Sequence, residues 1–186
     1  MNKFAWGVVI SLSLILVGCA PPEDGHQIQP FTYVDQHDQP FGMEQLEGKI
    51  WVADFVFTNC TTVCPPMSAE MVKLQKRAKE EGLDIEFVSF TVDPTIDTPA
   101  VLKQYVEAFT DDPSNWHAIT GYTQEEIERF ARESFRTIVQ KPDHSDQVIH
   151  SVSFFLVNRQ GKIMDEYNYM DETYADRMFE RIHQLR

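Results

Sequence analysis

The sequence predicts an α/β fold in which helices cover a mostly parallel β-sheet. Residues 50–57 form a nearly continuous apolar run, which is typical of a central strand buried on both faces. Residues 84–92 alternate into a second strand, and apolar side chains at helical spacing lie between the two runs. Strands and helices that alternate in this way are typical of parallel strands joined by crossover helices.

The N-terminal part of the predicted domain contains a hairpin and the first long helix. Weak alternation over residues 28–34, a polar turn and then Pro40 predict two paired strands, followed by a helical turn over residues 43–46. Proline is well suited to the first turn of a helix, so the long helix is expected to begin near Pro65 and to end at Gly82.

The later elements follow from capping and turn signals. Thr98 precedes a proline and Thr123 opens a capping box, so a helix is expected after each of them. Residues 116–120 predict a short strand, residues 148–157 a longer one, and residues 162–167 its partner in a hairpin. A last helix follows. This order predicts a thioredoxin-like fold with an N-terminal hairpin and additional inserts.

Length and charge limit the classes of function. A chain of 186 residues is one domain on length grounds. The formal net charge of -13 argues against binding to nucleic acid, because the phosphate backbone requires a basic protein face. It also argues against adsorption on anionic lipid, so any attachment to a membrane needs another device.

The N-terminus supplies a candidate for that device. Lys3 precedes an apolar run over residues 4–17, which is short for a spanning helix and typical of a secretory signal. The run ends in Leu16-Val17-Gly18-Cys19, which looks like a bacterial lipobox with cleavage before the cysteine.

The chain therefore divides into three predicted parts. These are a signal peptide over residues 1–18, a lipid-anchored tether over residues 19–27 and a folded domain over residues 28–186. Lipid attachment at Cys19 would hold the domain on the extracytoplasmic face of the cell membrane. An uncleaved signal anchor is the alternative, and it leaves the domain on the same side.

With Cys19 assigned to the anchor, Cys60 and Cys64 are the cysteines of the folded domain. They lie where the first central strand passes into the first long helix, and the positive end of a helix favours a thiolate. Three residues separate them, one more than in the usual redox arrangement, so the two sulfurs can converge on one atom. We expect a redox-active pair, able to form a disulfide. Among soft metals, copper fits a site of two or three ligands best.

A third ligand would be a histidine, and His150 is the strongest candidate by position. It is expected at the start of the strand over residues 148–157, and strands of such a sheet end beside the N-terminus of the first helix. A core histidine with a hydrogen-bond partner is the alternative. The other histidines fall in the predicted tether, a turn, a short strand, a polar loop and the last helix: His26, His37, His117, His144 and His183.

Three separated motifs occur in a fixed order along the chain. They are Phe57-Thr58-Asn59-Cys60-Thr61-Thr62-Val63-Cys64-Pro65, Val92-Asp93-Pro94-Thr95-Ile96-Asp97-Thr98-Pro99 and Ile149-His150-Ser151. Together they resemble the SCO/SenC family of copper-binding assembly proteins of cytochrome c oxidase. The resemblance covers the chain from about Phe31 to its end.

The resemblance implies a ligand set of Cys60, Cys64 and His150, with one copper ion per domain as Cu(I) or Cu(II). It also implies a role in maturing the dinuclear copper centre (CuA) of the oxidase, by delivering copper or by reducing the target's cysteines. The expected partner is the copper-centre subunit of the oxidase, and the expected oligomeric state is a monomer.

Two features of the motifs allow two interpretations each. Asp93 and Asp97 suit turn and capping chemistry, or their loop flanks the thiols and tunes them or contacts a partner. The polar residues 140–147 precede His150 and suit a mobile flap that lets His150 approach or leave a metal.

Two other functions would use the same thiols without a metal. Residues 61–65 contain the Thr-x-x-Cys-Pro arrangement of peroxiredoxins, but Phe57 stands where that pattern requires a proline. A thiol-disulfide oxidoreductase is the second alternative, although the usual spacing of two residues between its cysteines is absent. One thiol pair can combine copper binding with disulfide exchange.

Overall fold

A computed structural model describes residues 25–186, so the predicted signal peptide, Cys19 and most of the predicted tether lie outside the described residues. The strands are β1 (His26–Gln27), β2 (Thr32–Val34), β3 (Pro40–Gly42), β4 (Ile50–Val56), β5 (Ile85–Thr91), β6 (Trp116–Ile119), β7 (Ser153–Val157) and β8 (Lys162–Asn168). The helices are α1 (Met43–Leu46), α2 (Cys64–Glu80), α3 (Pro99–Phe109), α4 (Gln124–Ser134) and α5 (Tyr174–Gln184). Among residues 25–186, no helix is long and apolar enough to cross a membrane.

The main sheet has six strands in the order β1-β8-β7-β4-β5-β6. Strands β4, β5 and β6 are parallel, while β7 runs antiparallel to β4 and β8 antiparallel to β7. Strands β2 and β3 form the predicted hairpin as a separate two-stranded sheet. The predicted α/β, thioredoxin-like class is confirmed.

The register of β4 and β7 brings two distant parts of the chain to one edge of the sheet. Ala53 of β4 pairs with Phe155 of β7 in antiparallel orientation. The carboxyl end of β4 therefore lies beside the amino end of β7. The loop that leaves β4 carries the cysteines, and the segment that enters β7 carries His150, so the sheet itself makes them neighbours.

Apolar side chains fill both faces of the sheet. On one face, Phe90 packs against Phe55 and against Phe130 of α4. On the other face, Val52 and Phe87 share a cluster with residues of α2, α3 and α5. Every residue of β4 is buried, which explains why its sequence is apolar at every position except Asp54. A fully buried side chain of this type contributes about 1.5–3 kcal/mol, so the strand before the thiols is firmly fixed.

The domain begins earlier than predicted. His26 and Gln27, assigned to the tether, form strand β1 and pair with Ile163 and Lys162 of β8. The next residue, Ile28, is 1% exposed. Burial of this side chain beside β8 draws the preceding residues into the sheet, so the tether boundary at residue 27 is wrong by at least two residues.

The strand that contains His150 was also predicted to be too long. Strand β7 begins at Ser153, not at residue 148, and His150 lies in the segment before it. Ile149 pairs with Gln140 through an isolated bridge instead of with the sheet. The pairing of β7 with β4 ends at Phe155 and Ala53, so the chain before Ser153 has already left the sheet.

Candidate metal and thiol site

The cysteines lie on the short connection between β4 and α2. Cys60 is held by a turn in which its N–H donates to the Phe57 carbonyl at 3.2 Å. Cys64 is the first residue of α2, and its N–H donates to the Cys60 sulfur at 3.3 Å. Both are free thiols, and their residues are 6% and 0% exposed. The helix N-terminus therefore points a backbone donor at the first sulfur.

The two thiols have opposite tendencies to ionise. Burial raises the pKa of Cys60, but hydrogen bonds from Cys64 and Thr62 outweigh it and lower the pKa below its ordinary value. Burial, followed by the neighbouring Cys60, raises the pKa of Cys64. Cys60 is therefore the cysteine of the pair that ionises more readily, and Cys64 keeps its proton to higher pH.

His150 approaches the thiols with one ring nitrogen. Its Nε2 lies 3.4 Å from the Cys64 sulfur, while its Nδ1 lies 2.8 Å from the Ser151 carbonyl oxygen. Because a carbonyl only accepts, Nδ1 carries the hydrogen and Nε2 keeps a lone pair for the thiol or a metal. Burial lowers the pKa of His150 below its ordinary value, which favours the neutral imidazole. The Phe57 ring packs edge-on against the imidazole at 5.7 Å.

The ligand atoms of Cys60, Cys64 and His150 all lie within 4.8 Å of one another. Within residues 25–186 this is the one group of three or more Cys, His, Asp or Glu side chains close enough to share a metal ion. Two thiolate sulfurs are soft donors and an imidazole also binds copper, whereas a closed structural zinc site would require a fourth ligand. The donor set thus fits the predicted metal.

The other histidines have partners elsewhere. His26 Nε2 contacts the Glu133 carbonyl oxygen at 2.8 Å. The remaining partners are Glu86 for His117 and Glu81 for His183. His37 and His144 are exposed, in a turn and in the loop before His150. The geometry therefore separates His150 from the other candidates, as its sequence position suggested.

Asp97 connects the loop after β5 to the cysteine loop. Its carboxylate accepts the Thr58 N–H at 3.1 Å and the Thr58 hydroxyl at 2.5 Å, and it also accepts the Thr91 hydroxyl. Asp97 is 0% exposed, and burial raises the pKa of its carboxyl. The residue that caps α3 is Thr98, whose hydroxyl accepts the Val101 N–H. Asp97 thus holds Thr58, which lies two residues before Cys60.

Asp93 shows the turn chemistry that the sequence suggested. Its carbonyl accepts the N–H groups of Ile96 and Asp97 at 3.1 and 3.0 Å, and its carboxylate accepts the Thr95 hydroxyl at 2.8 Å. The same carboxylate also receives the Lys141 ammonium at 2.7 Å. No sequence pattern joins Lys141 to a residue 48 positions away, so this contact was missed.

A buried carboxylate on β4 was also missed. Asp54 is 0% exposed; one of its oxygens accepts the Ser89 hydroxyl at 2.5 Å, and the other, Oδ2, has no hydrogen-bond partner. Burial raises the pKa of Asp54 to about 7. The signal was present in the sequence, because an aspartate in the middle of an apolar strand must be buried or break the pattern.

The comparisons with known proteins decide the family. The SCO1/SenC family model matches residues 20–185. This chain belongs to the SCO1/SenC family. The SCO1 protein homolog of Bacillus subtilis is 46% identical over 151 residues, which cover 81% of this chain and 78% of that protein.

Solved structures of family members share the fold. A SCO1/SenC family lipoprotein from Bacillus anthracis str. Ames has a TM-score of 0.84 at 46% identity, covering 87% of this chain and 95% of that one. BsSco, described as a cytochrome c oxidase assembly protein with a disulfide switch, has a TM-score of 0.79 at 42% identity, covering 89% and 96%. Arabidopsis thaliana ScoI with copper bound has a TM-score of 0.73 at 26% identity, covering 84% and 98%.

Proposed function

We propose that this protein binds copper through Cys60, Cys64 and His150 and serves the assembly of cytochrome c oxidase. The observation that carries this proposal is the convergence of the three ligand atoms within 4.8 Å. It is supported by the family relatives, which include a copper-bound structure and a protein described as an oxidase assembly factor. The finer role that we propose is maturation of the CuA centre in the copper-centre subunit.

Each ligand has a separate task in this proposal. Cys60 is the first of the two cysteines to ionise for the metal, because its pKa is already lowered. Cys64 releases its proton when the metal binds, because a thiolate and not a thiol is the ligand. The Nδ1–Ser151 hydrogen bond orients the His150 ring, so that Nε2 faces the sulfurs before the metal arrives. One copper ion per domain is expected, as Cu(I) or Cu(II).

The unequal thiols also favour a second role, reduction of the target's cysteines. In that reaction the Cys60 thiolate attacks a disulfide of the target and releases one target thiolate. Cys64, once deprotonated, then attacks the mixed disulfide, releases the second target thiolate and closes the Cys60–Cys64 disulfide. Two electrons pass to the target. Both roles begin from the reduced pair, and the disulfide that the second role leaves has to be reduced again before the pair can bind copper.

A thiol peroxidase is disfavoured by the same observations. The peroxiredoxin-like arrangement makes Cys64 the cysteine that would attack peroxide. Cys64 is 0% exposed and its pKa is raised. A cysteine that reacts with peroxide needs to be accessible and to have a low pKa, whereas Cys64 is buried and has a raised pKa.

We also propose that Cys19 carries a lipid and holds a monomeric domain on the extracytoplasmic face of the cell membrane. The lipobox-like Leu16-Val17-Gly18-Cys19 motif supports this, as does the description of the Bacillus anthracis relative as a lipoprotein. Expression of wild type and Cys19→Ala in a bacterial host tests it. The wild type should begin at residue 19 and carry the mass of a lipid, and Cys19→Ala should carry none, whereas a wild type that keeps residues 1–18 and has no added lipid mass contradicts the proposal.

Copper titration of the reduced domain tests the proposed ligand set. We expect His150→Ala to weaken binding by about 10- to 100-fold and to change the sulfur-to-copper charge-transfer absorption. His144→Ala is the matched control, because His144 is an exposed histidine of the same segment. Equal binding by wild type and a Cys60→Ser, Cys64→Ser variant contradicts the proposal.

A further inference from the structure

Three segments of the chain meet at the thiol site. The thiol loop is residues 57–64, which include both cysteines, the aspartate loop is residues 92–98, and the histidine segment is residues 135–152. The histidine segment contains no helix or strand beyond an isolated bridge. The position of His150 therefore depends on this bridge and on the contacts that the segment makes with the rest of the domain.

The first contact joins the thiol loop to the aspartate loop. Thr58 donates its N–H and its hydroxyl to the Asp97 carboxylate. The Asp97 N–H in turn donates to the Asp93 carbonyl at 3.0 Å. Because Asp97 is fully buried, these bonds are shielded from water and keep their strength. The aspartate loop is thereby fixed relative to Cys60.

The second contact joins the aspartate loop to the histidine segment. The Lys141 ammonium lies 2.7 Å from Asp93 Oδ1, and the side chains of Lys141 and Asp93 are 26% and 3% exposed. This differs from an ordinary surface ion pair, which contributes little. The Asp93 carboxylate is out of water, so loss of its cation leaves a buried charge that is expensive to keep.

Lys141 passes this restraint on to His150. The neighbouring Gln140 exchanges two backbone hydrogen bonds with Ile149, both of 2.9 Å. The backbone N–H of Lys141 also donates to Glu128 of α4 at 3.0 Å. Ile149 immediately precedes His150, so a restraint on Lys141 reaches the third ligand through one backbone bridge.

We propose that Lys141 is a positioning residue, whose ion pair with Asp93 holds the histidine segment and sets the distance of His150 from the two thiols. The proposal rests on the proposed function for its consequence in copper binding, whereas its effect on the histidine segment is independent of any metal. It also gives Asp93 and Asp97 one shared role, because their contacts connect the thiol loop to the histidine segment.

The first test uses the metal-free, reduced protein. Amide hydrogen exchange of Gln140 and Ile149 should be about tenfold or more faster in Lys141→Met than in wild type, because the bridge opens locally. Lys141→Arg restores the ion pair and should restore slow exchange. The control is Lys49→Met, which breaks another ion pair between a lysine and a mostly buried carboxylate, Glu86, at the opposite end of β4. Unchanged exchange in Lys141→Met overturns the proposal.

The second test is titration with Cu(II) followed by absorption and electron paramagnetic resonance. Lys141→Met should reproduce the spectrum of His150→Ala, with loss of coupling to an imidazole nitrogen and about tenfold weaker binding. Lys141→Arg and Lys49→Met should keep the wild-type spectrum. A wild-type spectrum for Lys141→Met contradicts the proposal even where its exchange is faster.

A double variant distinguishes loss of the Lys141–Asp93 contact from a general loss of stability in Lys141→Met. Lys141→Met with Asp93→Asn removes both charges, so no unpaired buried charge remains, yet the contact is still lost. It should show the same fast exchange at Gln140 and Ile149, and wild-type exchange there would overturn the proposal. If wild-type protein binds no copper, the proposed function fails, while the exchange data still decide the role of Lys141.

Discussion

The thiol loop and the histidine segment supply the same site, but they are held in different ways. The thiol loop lies between a fully buried strand and a 17-residue helix, and its sulfurs interact with backbone N–H groups of their own neighbourhood. The histidine segment has no helix or strand; besides the buried Val139 and Val148, it is held by an isolated bridge and by the contacts of Lys141 with two other parts of the chain. Cys60 and Cys64 are thus positioned by regular elements of the fold, whereas His150 is positioned by contacts of an irregular segment.

This difference suggests how the proposed site would bind and release copper. A rigid pair of sulfurs keeps its affinity for a soft metal, whereas a separately attached imidazole can be removed at a smaller energetic cost. The proposed function requires that a metal be both held and released. We therefore expect substitutions in the thiol loop to abolish binding and substitutions in the histidine segment to modulate it.

The largest expected effect is loss of a single sulfur. Cys60→Ser and Cys64→Ser should each weaken copper binding by at least about a thousandfold, because a hydroxyl is a poor ligand for a soft metal. Competition with a chelator of known affinity measures the loss. The comparison between the two regions fails if either variant binds copper more tightly than His150→Ala.

The next effect concerns the core beneath the thiol loop. The pKa of Asp54 is raised to about 7 from 3.8, so between about pH 4 and pH 7 the unfolded chain has lost a proton that the folded chain keeps. The free energy of unfolding of the wild type therefore falls as pH rises through this window. Asp54→Asn has no such proton, and its stability relative to wild type should rise by about 4 kcal/mol from pH 4 to pH 8.

Urea unfolding of the metal-free, reduced protein at several pH values measures this shift. The measurement sharpens the comparison between the two regions, because Asp54→Asn changes the strand before the thiol loop and changes no residue of the histidine segment. A stability difference between Asp54→Asn and wild type that stays constant from pH 4 to pH 8 would show that the carboxyl is not held in a raised pKa state.

A smaller effect is expected where the two regions are joined. Asp97→Ala removes the acceptor of the Thr58 N–H and hydroxyl, and an unsatisfied buried group costs about 1–3 kcal/mol. Unfolding by denaturant should show this loss of stability. Because Asp97 holds the thiol loop through Thr58, this loss should be accompanied by faster amide exchange at Thr58. If Thr58 keeps its protection in Asp97→Ala, Asp97 does not stabilise this loop.

The same difference explains what the sequence could predict. Strand β4, helix α2 and the cysteines between them follow from local signals, namely a continuous apolar run and prolines in the first turn. These elements were correct to within one or two residues. The positions of Cys60 and Cys64 are fixed by neighbours in the chain, and such information is readable from periodicity and capping.

The histidine segment depends on contacts that leave no local pattern. Val148 and Val152 alternate as in a strand, yet the segment forms none, since the pairing of β7 with β4 ends at Phe155. Lys141 meets Asp93 from 48 residues away. His26 and Gln27 looked like a polar tether, and their place in the sheet depends on pairing with β8. Tertiary partners, and not propensity, determine these features.

X-ray absorption at the copper edge of the loaded protein tests the central claim most directly. The account predicts two sulfur scatterers and at least one imidazole, with the imidazole contribution lost in His150→Ala and kept in His144→Ala. Fewer than two sulfurs around the copper, or an imidazole signal that persists in His150→Ala, would contradict it.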